Sequence, residues 1–125
     1  MPVITQTNNL GDLLKYEAPN LYSRETAVIT AGQHLALGTV LSRKTADGKL
    51  YALVPGASDG TETAVGVLAT DTDATLVDRE DAVLIARHAI VSRPAVIWPA
   101  GITPAQKATA EAQLAGLGVL VRNAA

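Results

Sequence analysis

The chain has no cysteine and no phenylalanine, and its few aromatic residues are Trp98, Tyr16, Tyr22 and Tyr51. The missing thiols exclude a disulfide scaffold, a thiolate metal site and a cysteine nucleophile, and they fit synthesis in a reducing cytoplasm. With aromatics at 3% the core must be aliphatic. Ala, Val and Leu each bury less area than an aromatic ring, so subunit contacts are expected to add to stability. The same scarcity counts against stacking on sugars. No excess of one charge exists either: 10 Lys and Arg stand against 12 Asp and Glu, interspersed, for a net charge of -2. A nucleic-acid binder would show a basic face with stacking platforms, so no nucleic-acid partner is expected. Long apolar runs are also lacking. The charge-free stretch between Arg93 and Lys107 is broken by Pro94, Pro99 and Pro104 and makes no membrane-spanning helix. Met1–Leu10 has no basic start followed by an apolar run, so neither a signal peptide nor a membrane partner is expected.

What remains is 48% apolar and 18% charged, the balance of one globular domain. Residues 1–25 read apart from the rest, because Pro2, Asn8-Asn9, Gly11 and Pro19-Asn20 interrupt any regular element. Yet Val3, Ile4, Leu10, Leu13, Leu14, Tyr16, Leu21 and Tyr22 are too apolar for a solvated tail. Either this segment packs as a strand on its own domain, or it is an arm that orders when a partner supplies a sheet edge or groove. From 26 to 125 the pattern is β-rich. Ala27–Thr30 is a strand candidate, followed by a turn at Ala31-Gly-Gln33, a strand over Leu35–Leu41, and a tight Ala46-Asp-Gly48 turn. Leu50–Val54 and Thr63–Ala69 are further strands, the latter apolar enough to be buried on both faces, with Gly66 marking a bulge or a close backbone approach. Asp71–Thr75 reads as a polar loop, and Ala82–Val91 as one long strand. The one convincing helix has Thr103 as N-cap, Pro104 at its first position and Gln106 completing a capping box; it should run over about 104–115, before a short strand at Val119–Val121.

Chemistry-bearing motifs are few. Gly56-Ala-Ser-Asp-Gly60 matches G-x-S-x-G, and Asp71, Asp73, Asp78 and His88 follow in hydrolase order. A nucleophile elbow, however, needs a helix after the serine, and here a strand is expected, so Asp59-Gly60 reads as a turn. A small serine hydrolase using Ser58 and His88 is therefore the alternative function, with a host-surface or carbohydrate-binding β-module as another. Asp71-x-Asp73-x-Thr75 opens like an EF-hand loop, but Leu76 and Ala82 stand where glycine and glutamate are required. His34 and His88 lack the helical pairing of a zinc site; His34 is expected in a loop and His88 on a strand. No catalytic residue, metal site, cofactor or small-molecule substrate is assigned. Trp98, with Pro99, lies between a strand and the capped helix, either plugging the core or anchoring a subunit interface.

In order along the chain, Gly38-Thr-Val-Leu41, Lys49-Leu-Tyr-Ala52, Asp59-Gly-Thr61, Ala64-Val-Gly-Val-Leu-Ala69, the strand at 82–91, Ile97-Trp-Pro99 and the helix from Thr103 to Ala115-Gly116 before Val119-Leu-Val121 form one constellation. Over about residues 25–122 it resembles the lambda-type head decoration proteins of tailed bacteriophages. The resemblance implies a small, mainly β, barrel-like fold with one short α-helix, assembled as a homotrimer. It implies a non-enzymatic virion protein, made in the host bacterial cytoplasm and carried on the outer surface of the expanded head. There it would sit at three-fold and quasi-three-fold positions, stabilising the major capsid protein lattice against packaged DNA. Residues 1–25 would then be the capsid-binding arm.

Overall fold

The computed structural model describes residues 10–123. A one-turn helix α1 (Leu10–Leu13) leads into strand β1 (Leu14–Glu17). The strands β2 (Arg24–Ile29), β3 (Gln33–Leu35), β4 (Val40–Arg43), β5 (Leu50–Ala52), β6 (Ala64–Leu68), β7 (Thr72–Ala74), β8 (Arg79–Ile85) and β9 (Ala89–Ser92) come next. Helix α2 (Pro104–Gly116) and strand β10 (Val119–Arg122) complete the order. The fold is mainly β with one substantial helix, as expected.

Five strands close a barrel in the order β2-β5-β4-β6-β8. Beside it lie a three-stranded sheet, β1-β9-β10, and a two-stranded ribbon, β3-β7. Strand β6, β4 up to Ser42 and the C-terminal end of β8 are buried on both faces. Val40, Val67 and Ile85 enter a cluster that also holds Val91, Leu114 and Val119, under α2 and the three-stranded sheet. Their neighbours Leu41, Leu68 and Leu84 point the other way, to Ile29 and Leu50. Successive strand residues face opposite sides, so strands serving two cores must be apolar throughout. This is why Thr63–Ala69 shows no polar alternation.

Gly66 satisfies both expectations at once. A Cβ there would sit 2.7 Å from the Ile85 carbonyl oxygen and 2.7 Å from Leu84 Cδ1. The β4–β6 register also shifts beside it, between Leu41 and Ser42. The weakest seam is β2–β5, joined by the single parallel pair Ile29↔Leu50. Gln33 reinforces it: its side-chain oxygen accepts from the Ala52 N–H at 3.0 Å and its amide donates to the Leu50 carbonyl at 3.2 Å. A side chain here supplies ladder bonds that backbone cannot reach.

The capping box at Thr103 forms as read: the Gln106 N–H donates to Thr103 Oγ1 at 3.1 Å and the Thr103 N–H to Gln106 Oε1 at 3.0 Å. Gln113 then docks α2 on the barrel, accepting from the Ala64 N–H at 2.8 Å.

Four sequence expectations need correction. The run Ala82–Val91 is two strands, because its halves join different sheets: β8 pairs with β2 and β6, while β9 pairs with β1 and β10. The chain reverses between them at His88, whose φ is 48°. Leu35–Leu41 is likewise split, by Gly38 at φ 99°, whose N–H reaches the Leu68 carbonyl at 2.8 Å. Asp71–Thr75 contains a strand, β7, pairing with β3 from Gln33↔Ala74 to Leu35↔Thr72. The histidines exchange roles accordingly: His34 lies on β3, opposite Asp73, and His88 in a turn.

Candidate functional site

Ser58 lies on the exposed loop between β5 and β6, so it precedes a strand and no helix N-terminus stands behind it. Its neighbour Asp59 accepts from the Thr61 N–H at 3.1 Å and from the Thr61 hydroxyl, a local turn bracket that holds its carboxyl below the ordinary value. The other acids in hydrolase order are also engaged in scaffolding. Asp71 accepts from the Leu37 N–H at 2.7 Å. Asp73 brackets Thr75. Asp78 accepts from Lys49 Nζ at 2.7 Å and from the Ala31 N–H at 2.8 Å; the lysine bond first, then the backbone bond, lowers its pKa. His88 is turned instead towards Tyr22, ring centroids 5.2 Å apart, edge to face. The structure therefore gives Ser58, His88 and these acids separate structural surroundings. Among the described residues no group of three His, Cys, Asp or Glu side chains could hold a metal.

The residues read as a binding arm divide by burial. Val3 and Ile4 lie outside the described residues. Leu13 is fully buried in the core, and Leu10 and Leu14 pack partly against it. Leu14 takes its place because β1 pairs antiparallel with β9, Leu14 opposite Val91. Tyr16, Leu21 and Tyr22 are more than half exposed.

Their surroundings are built rather than loose. Glu17 accepts from both Nε and Nη2 of Arg24, at 2.8 and 2.7 Å, and this bidentate bond depresses the carboxyl pKa and raises that of the guanidinium. Buried Ser23 accepts from the Ala18 N–H at 2.9 Å and donates to the His88 carbonyl at 2.8 Å. Arg87 donates to the Tyr22 carbonyl at 2.7 Å, pairs with Glu25 at 2.8 Å and lies 5.3 Å from the Tyr22 ring centroid. Among the described residues, Leu21 and His88 are the non-glycines at positive φ, 59° and 48°. Both belong to this one cluster, and backbone strain of that kind persists where the surroundings over-determine it.

Trp98 and Pro99 line an open cavity of about 290 Å³ with His34, Leu35, Ala36, Leu53 and Ile97. Trp98 is half-buried against the core, with Lys107 Nζ 5.8 Å from its ring centroid. It is thus neither a sealed plug nor a free ring. Sequence reasoning missed Leu76 and Val77, which are 90% and 64% exposed on the loop after β7. The available signal was their chemistry: two large aliphatics side by side inside a largely polar stretch from Asp71 to Asp81.

None of the curated protein sequences compared with the chain matches it. The model of one family does, over residues 3–119 of the 125, spanning the exposed N-terminal cluster, the barrel, the Trp98 cavity and the capped helix. On that match, which covers nearly the whole chain and agrees with the β-rich fold, the protein belongs to the bacteriophage lambda head decoration protein D family.

Proposed function

We propose that this chain is a non-enzymatic decoration protein that assembles as a homotrimer on the outside of the expanded phage head. It binds the major capsid protein at three-fold and quasi-three-fold positions and stabilises the shell against packaged DNA. It is made in the cytoplasm of the host bacterium and ends on the virion surface. The observation that carries this reading is the family match over residues 3–119.

The capsid-binding element is the segment before residue 26. Leu13 and the β1–β9 pairing anchor it to the body, while Tyr16, Leu21 and Tyr22 stay exposed. Tyrosine beside arginine, here Tyr22 beside Arg87, is the composition favoured at interface hot spots. Val3 and Ile4 supply further apolar contacts. Ordering an arm costs about 1–2 kcal/mol of backbone entropy per residue, so a single arm binds modestly. Three arms on one trimer bind together, the second and third at high effective concentration.

The test is co-sedimentation with expanded capsids of the intact chain and of a variant lacking residues 2–9. That deletion stops short of Leu13 and leaves every described core residue in the chain. We expect the intact chain to sediment with shells and the deletion to remain folded and in the supernatant. Equal binding by both would remove residues 2–9 from the mechanism and leave Tyr16, Leu21 and Tyr22 to carry it, and no binding by the intact chain would overturn the function.

A further inference from the structure

We infer that Asp59-Gly60 is a self-modification site. The Gly60 nitrogen closes on the Asp59 side chain to form a succinimide, Glu62 takes the amide proton, and water reopens the ring to isoaspartate or back to aspartate. The reaction needs no partner and is independent of the decoration-protein reading.

Three aspartates accept from the N–H two residues on: Asp47 from Lys49 at 3.0 Å, Asp59 from Thr61 at 3.1 Å and Asp73 from Thr75 at 3.0 Å. Such a bracket folds the side-chain carboxyl back over the nitrogen of the next residue. What that nitrogen meets differs at each. After Asp73 comes Ala74, whose methyl group crowds the nitrogen. After Asp47 comes Gly48, but its N–H donates to the Lys44 carbonyl at 2.8 Å, an oxygen too weakly basic to take a proton. The Gly60 N–H donates to Glu62 Oε1 at 2.8 Å. Among the described residues, Asp59 alone combines a following glycine with a carboxylate on that glycine's N–H.

Each atom of the reaction has a place. The reacting form has Asp59 protonated on Oδ2 and Glu62 ionised. The Gly60 nitrogen bonds to Asp59 Cγ while its proton passes to Glu62 Oε1. Negative charge gathers on Asp59 Oδ1, where the Thr61 N–H and hydroxyl both donate. The bond from Cγ to Oδ2 then breaks, and that oxygen leaves as water with its own proton and the one Glu62 held. The Asp59 side chain is 47% exposed, so water can return to the ring. Attack at the former main-chain carbonyl leaves isoaspartate; attack at Cγ restores aspartate.

The product does not fit the loop as the aspartate does. Isoaspartate routes the chain through Cγ and lengthens the backbone by one carbon. The Asp59 carbonyl now accepts from the Thr45 N–H at 2.9 Å, and the Thr61 carbonyl accepts from the Val54 N–H at 2.8 Å. Gly60 lies so close to β4 that a Cβ would stand 2.6 Å from the Arg43 carbonyl oxygen. Conversion therefore loosens the seam between this loop and the ends of β4 and β5.

Asp47-Gly48 is the internal control, and trypsin separates the two pairs, Asp47 on the peptide 45–49 and Asp59 on 50–79. The Thr61 bonds hold the Asp59 carboxyl below its ordinary value, so the folded chain is incubated for weeks at mildly acidic pH, where a share of Asp59 is protonated. Mass spectra of the peptides count the succinimide, lighter by one water, and chromatography with fragmentation counts isoaspartate. We expect conversion at Asp59 to exceed that at Asp47 at least about tenfold, a modest share of the ~10²–10⁴-fold that a positioned base contributes. Glu62→Gln keeps an acceptor for the Gly60 N–H but cannot hold its proton, and should bring Asp59 down to the Asp47 rate. In concentrated urea, without the brackets, the two pairs should convert alike. No conversion at Asp59, or equal conversion at both pairs in the folded chain, overturns the proposal. So does a Glu62→Gln variant that converts at the wild-type rate or faster, since loop motion and not the base would then set the rate. An excess at Asp59 that persists in urea overturns it too, because the local sequence alone would cause it.

Discussion

Leu13→Ala asks whether the N-terminal segment is part of the protein's core or only rests on it. Leu13 has no exposed surface and sits in the cluster with Val91, Leu114 and Val119. Shortening it removes three buried carbons, roughly 2.4 kcal/mol at about 0.8 kcal/mol per methylene. The void left behind adds to this, so the expected loss is about 3–4 kcal/mol, within the ~2–5 kcal/mol typical of Leu→Ala in closed cores. Urea unfolding followed through the single tryptophan, Trp98, at fixed chain concentration gives the value. Tyr22→Ala is the control: more than half exposed, it should cost under about 1 kcal/mol. If Leu13→Ala also costs under about 1 kcal/mol, the segment is not packed in solution and the division into anchoring and exposed residues is wrong.

Two further outcomes rest on the geometry. Gly66→Ala drives a methyl group to 2.7 Å from the Ile85 carbonyl oxygen, a backbone atom that cannot swing away, and should cost about 1–3 kcal/mol, read as a lowered thermal midpoint. Acid should destabilise the fold: Glu17, Asp59, Asp73 and Asp78 all titrate below their ordinary values of 4.5 and 3.8, so each favours the folded state above the unfolded-state pKa and loses that contribution as pH falls through the folded-state value. The thermal midpoint should therefore change little down to about pH 5 and drop below about pH 4; a midpoint that rises on acidification would contradict these assignments.

The features legible in the sequence share a short range. The Thr103 capping box closes over four residues and depends on nothing else in the molecule, so it reads directly from Thr-Pro-Ala-Gln. The turn at Asp47-Gly48 is similar, since Asp47 brackets the Lys49 N–H and Gly48 supplies the positive φ. Gly66 is readable because a glycine inside an apolar strand needs a steric reason. The errors all fall where pairing partners are distant. Ala82–Val91 has the composition of one strand, and only the barrel and the β1-β9-β10 sheet, claiming one half each, put a turn at His88. Asp71–Thr75 has little strand propensity beyond its two threonines, and β7 forms because β3 offers it an edge.

The same division holds for function. The β-rich class, the aliphatic core and the family are written in the chain itself, because they reside in composition, local turns and the order of short motifs. That Leu13 belongs to the core while Tyr16, Leu21 and Tyr22 remain exposed is a property of the folded molecule. So is the grouping of Trp98 and Pro99 with His34, Leu35 and Leu53 around one cavity. Burial depends on which distant strands close over a residue, and nothing in the few residues around it carries that information.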